Sequence, residues 1–108
     1  MWPIANSGDM TTIDEVVKPP SLQQGTSPAA QGRRLQALLL ALNWTQTELV
    51  LRTGISPPSI NRYCKGHRRI NAEDAYLIAK ATGLTMGYIF EGDLRGLSRA
   101  ELDWLPDA

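Results

Sequence analysis

The chain has 108 residues, 43% of them hydrophobic and 20% charged, and its formal net charge is zero. That size predicts one domain, with ~65 to 75 residues sharing a core, and leaves no room for a second. No apolar run approaches the ~18 residues of a membrane span. The opening MWPIANSGDM also lacks the basic region and long apolar core of a signal peptide, so a cytoplasmic protein is expected.

Residues 1–30 read as a flexible tail. Gly, Pro, Ser, Thr and Gln dominate residues 18–32, and Pro19, Pro20 and Pro28 interrupt any continuous helix. Within the tail, residues 13–17 form a short apolar patch, open to reading as disorder, as a strand or as a partner-binding segment, and Met10 offers a second possible start. Residues 33–42, rich in Leu, Ala and Gln, predict a first helix by propensity.

Thr45 and Glu48 then form a capping box, in which each side chain reaches the other's backbone N–H. Leu49, Val50 and Leu51 run up to Thr53, and Gly54 supplies the left-handed conformation that closes this second helix. Ser56 caps a third, with Pro57 at the first helical position, where its missing N–H costs nothing. The same start signal recurs. An apolar residue before the cap pairs with one five positions later in Trp44 and Leu49, Ile55 and Ile60, Ile70 and Ala75, Leu84 and Ile89, and Leu97 and Leu102. The caps between them are Thr45, Ser56, Asn71, Thr85 and Ser98. The domain predicted is all-α.

From Thr45-Gln46 through Leu49, Gly54-Ile55-Ser56, Ile60 and Gly66, and on through Arg68-Arg69, EDAYLIAKATGL and MGYIFEGD, the chain resembles a known family. These are the phage-repressor-like helix-turn-helix domains, also called the Cro-like or xenobiotic-response-element type. The resemblance covers residues 31–92. It implies a compact five-helix, lambda-repressor-like bundle over residues 31–93, with 94–108 as a short extra helical segment. It also implies binding of double-stranded DNA through the third helix, as a transcriptional regulator, expected to be a repressor.

Charge is divided in the same sense. Residues 31–70 carry Arg33, Arg34, Arg52, Arg62, Lys65, Arg68 and Arg69 against Glu48 alone, a formal +6, whereas residues 71–108 sum to −4. A basic half around the motif fits an oriented approach to phosphates, or else an ordinary solvated face.

The resemblance assigns base reading to the start of the third helix: Pro57, Pro58, Ser59, Asn61 and Arg62. Arg62 suits a bidentate pair with guanine and Asn61 one with adenine. Phosphate contacts are expected from Thr45, Gln46 and Ser56 at the helix starts and from Lys65, His67, Arg68 and Arg69 in the following turn. His67 has no partner ligands at a metal-binding spacing, and neither metal nor cofactor is implied.

Five positions depart from the family. Related domains place hydrogen-bonding residues where Pro57 and Pro58 stand, and prolines offer only apolar contact, for instance with a thymine methyl, or rigidity. The arginine and glutamate that pair in related domains fall at Leu39 and Cys64, and a contact between these two is expected; Cys64, the lone cysteine, reads as a core residue. Val50 replaces a smaller alanine, which would push the third helix slightly outward.

Residues 94–108 add Leu94, Leu97, Leu102, Trp104 and Leu105, which either fold back onto the core or form a homodimer interface. Enzymatic activity is not expected, because one His, one Cys and no Gly-rich phosphate loop make no catalytic set. The competing function is an antitoxin-like protein-interaction module with weak base reading, its partner engaging the N-terminal tail or the C-terminal segment.

Overall fold

A serine and a proline that read as tail turn out to start a helix. The computed structural model describes residues 25–106. In it, the Ser27 hydroxyl accepts the Ala30 N–H at 3.1 Å and Pro28 takes the first helical position, so α1 runs Pro28–Leu42. The tail boundary at residue 30 and the helix start at residue 33 are therefore corrected. Pro28 does not interrupt a helix because at the first position it breaks no intrahelical hydrogen bond. The remainder of the expected tail, with the 13–17 patch and Met10, lies outside the described residues.

The other helices start where the caps predict. They are α2 (Gln46–Thr53), α3 (Pro57–Cys64), α4 (Ala72–Thr82), α5 (Met86–Glu91) and α6 (Arg99–Trp104), capped in turn by Thr45, Ser56, Asn71, Thr85 and Ser98. The Thr45–Glu48 capping box forms, with contacts of 3.1 and 3.3 Å, and Ser98 and Glu101 make a second one. Gly54 closes α2 at φ 78°, a conformation open to glycine at little cost. Among the described residues there are six helices and no strand.

α1 lies against α3 and α5, α2 against α3 and α4, and α4 against α5. Ile60 and Tyr63 of α3 join Leu35, Leu38, Leu49 and Ile78 in one apolar core. Leu39 and Cys64 are both buried in that cluster, and the Gln36 side chain donates to the Cys64 carbonyl, so α1 and α3 are neighbours where the substituted pair falls. The two helices approach closely at Gly32, where an added Cβ would sit 2.7 Å from the Tyr63 carbonyl oxygen. A residue that composition assigned to the linker thus sets the spacing of two core helices.

Two polar side chains are buried with the core. Gln31 accepts the Ile70 N–H at 2.7 Å and donates to the Phe90 carbonyl at 2.8 Å. Arg34 is buried and donates to the Ile89 carbonyl at 3.0 Å. Both carbonyls lie at the C-terminal end of α5, which satisfies acceptors that the helix itself leaves open. The basic face around the motif therefore excludes Arg34.

At the C-terminus, Leu97, Trp104 and Leu105 pack against the core, while Leu94 and Leu102 are exposed. Of the two readings of this segment, folding back is what Trp104 does.

Candidate nucleic-acid interface

α2 and α3 are eight residues each, joined through Gly54, Ile55 and Ser56. Ile55 is buried and anchors the turn. The inner side of α3 carries Ile60, Tyr63 and Cys64, all but inaccessible to solvent. The outer side is left with Pro57, Pro58, Arg62 and Lys65 exposed and with Ser59 and Asn61 half-buried. The residues expected to read bases therefore share one solvent-facing side of a helix whose other side is fixed in the core.

The expected phosphate contacts divide into two groups. Thr45 and Ser56 are exposed, but their hydroxyls accept from Glu48 N–H and Ser59 N–H, so they hold the helix starts; Ser56 also donates to the Ser59 hydroxyl at 3.0 Å. Gln46, Lys65 and His67 are exposed. Arg68 and Arg69 are exposed too, yet each makes an internal contact. Arg68 lies over the Tyr63 ring at 5.3 Å and donates to its hydroxyl at 3.4 Å. Arg69 donates to the Thr26 carbonyl at 2.8 Å, tying the basic turn to the residues before α1.

Tyr63 is the organising group beneath that turn. Its hydroxyl donates to the Asp74 carboxylate and accepts from Asn71 at 3.3 Å, while its ring is fully buried. Burial, followed by the adjoining Asp74 carboxylate, raises the phenol above its ordinary value. The turn that bears Lys65 to Arg69 is thus held between α3 and the start of α4.

The structure brings Gln46, Pro57 and Asn61 together around a shallow notch of about 250 Å³, completed by Thr47 and Val50. Val50, expected between the helices, also lines this notch. The burial of Gln31 and Arg34 is signalled in the sequence only by the stripe 31, 34, 35, 38, which has the period of a buried helix face. Nothing in the sequence marks Tyr63 and Asp74 as partners.

Arg52 sits over the Trp44 ring at 4.2 Å, and Arg33 is exposed on α1. Among the described residues no group of three His, Cys, Asp or Glu could hold a metal ion, and no helix is long and apolar enough to cross a membrane.

Two short helices in a glycine-closed pair, the second presenting a polar and basic outer face, define the helix-turn-helix class of DNA-binding domain. The family described as helix-turn-helix matches residues 35–89. An uncharacterized transcriptional regulator in the ATPase CF(0) region of Rhodospirillum rubrum is 36% identical over 73 residues, 68% of this chain and 68% of that one. No solved structure matches. The chain belongs to the helix-turn-helix family of the Cro/C1 type, whose business is DNA-binding transcription regulation.

Proposed function

We propose that this protein is a sequence-specific repressor that inserts α3 into the major groove of double-stranded DNA. The observation that carries the reading is the division of α3: Ile60, Tyr63 and Cys64 are locked in the core, and Pro57, Pro58, Ser59, Asn61 and Arg62 are left on the free side. Arg62 pairs with guanine, Asn61 with adenine, and the prolines make apolar contacts. Thr45, Gln46 and Ser56 present helix N-termini to one phosphate track. Lys65 and His67 face the other, with Arg68 and Arg69 releasing or sharing their internal contacts as they reach it. Residues 28–93 form the DNA-binding unit, and Leu94 and Leu102, left exposed on the 94–108 extension, give the surface through which two copies pair, so that two α3 helices meet half-sites about one turn, ~10 bp, apart.

The test is selection from a randomised duplex library, then titration of the recovered site and a scrambled control at two salt concentrations. A site preferred ~10³-fold or more is expected. Arg62→Ala and Asn61→Ala should each lower that preference by about 1–3 kcal/mol.

Exposed Pro57 and Pro58 favour a second reading, an antitoxin-like protein-interaction module, because neither can hydrogen-bond a base edge. On that reading the library yields no motif, the weak binding disappears with salt, and the two alanine variants behave as wild type.

A further inference from the structure

Resting on the proposed reading of DNA, we infer that the notch between α2 and α3 is a site for the 5-methyl group of a major-groove pyrimidine. The notch lies between two helices. Gln46, Thr47 and Val50 come from α2, Pro57 and Asn61 from α3, and together they enclose about 250 Å³. Val50 is one turn beyond Gln46, and Asn61 one turn beyond Pro57, so each helix contributes one apolar and at least one polar side chain.

The apolar part of the lining, Val50 and Pro57, points to the occupant. Val50 carries no polar side-chain atom, and Pro57 lacks both a polar side chain and a backbone N–H. These two residues offer neither donor nor acceptor through their side chains to a base edge, and a phosphate pressed against them would lose water without compensation. The apolar group that the major groove presents is the C5-methyl of thymine, also carried by 5-methylcytosine. Asn61 at the rim is a side chain of the type that pairs with adenine N6 and N7. An apolar pair beside an amide therefore matches A·T-rich sequence at one place in the half-site. Val50 supplies bulk that an alanine would not, and becomes a specificity residue rather than a spacer.

The experiment uses the full chain and the duplex recovered by library selection. Each thymine is replaced singly by deoxyuridine, which deletes only the methyl. One thymine per half-site should then bind roughly fourfold more weakly, the worth of about one buried methyl group, and the remaining thymines should be unaffected. With cytosine at that place, 5-methylation should recover binding.

Val50→Ala should shrink the thymine-to-uracil ratio at that one place toward unity and leave the preference for other base pairs intact. Uracil tolerated at every thymine, with the site still preferred over a scrambled duplex, overturns the methyl site and leaves sequence-specific binding standing. An equal loss for thymine and uracil duplexes in Val50→Ala makes Val50 a packing residue and also overturns it. If selection recovers no site, both the methyl site and the DNA reading fall.

Discussion

The buried side chain of Gln31 makes two hydrogen bonds with partners 39 and 59 residues away in the chain, to Ile70 and Phe90. Gln31→Leu keeps the bulk but orphans the Ile70 N–H, so unfolding in urea should show a loss of about 1–3 kcal/mol. The thiol of Cys64 and the phenol of Tyr88 are pushed by burial to about 11 and about 12. Both are acids kept neutral in the folded state, with values raised from 9.0 and 10.0. The unfolded chain releases those protons first, so their contribution is complete below pH 9 and is lost as the pH rises through 11 and 12. Urea midpoints measured across the alkaline range should fall there, and Cys64→Ala should flatten the lower part of that fall whatever its baseline stability. At pH 8 the native thiol should resist alkylation, because it is both buried and protonated.

At the level of the helices, local chemistry and packing play separate parts. The five caps from Thr45 to Ser98 are short-range hydrogen bonds, which is why the sequence locates them. Ser27 is the same device, overlooked because it sits among residues of tail-like composition. Ser27→Ala should cost about 0.5–2 kcal/mol, read by thermal or urea unfolding, and should fray α1 up to Gln31. Gly32 is the opposite case. No local rule marks it, since its role is a backbone approach to Tyr63 on another helix. Gly32→Ala improves helix propensity yet should destabilise by about 1–3 kcal/mol, because the added carbon meets rigid backbone rather than a movable side chain.

Across the whole molecule, the proposed pairing of two copies rests on the C-terminal segment. Residues 94–106 turn Leu97, Trp104 and Leu105 inward and leave Leu94 and Leu102 outward. Deleting the segment would strip the core as well as any interface, so pairing is better tested with Leu94→Ser and Leu102→Ser together. Sedimentation should then give a monomer with unchanged helix content; an unchanged dimer mass would place the interface elsewhere. A pair of domains should also respond more steeply to salt than one, because each copy brings its own Lys65 to Arg69 turn to the phosphates.

Much of this protein was settled by the sequence alone: the all-α class, the positions of five helix starts, the burial of Cys64, and the helix-turn-helix family. The helix starts depend on contacts within about four residues and the class on a 3.6-residue period, both written along the chain, while the family was legible as a resemblance of motif residues. Tertiary structure decided the rest. It made Arg34 a buried strut for α5, joined Tyr63 to Asp74 beneath the basic turn, and drew Val50 and Pro57 into one notch. Each of these joins groups from different helices, and which side chains meet there is fixed only when those helices pack.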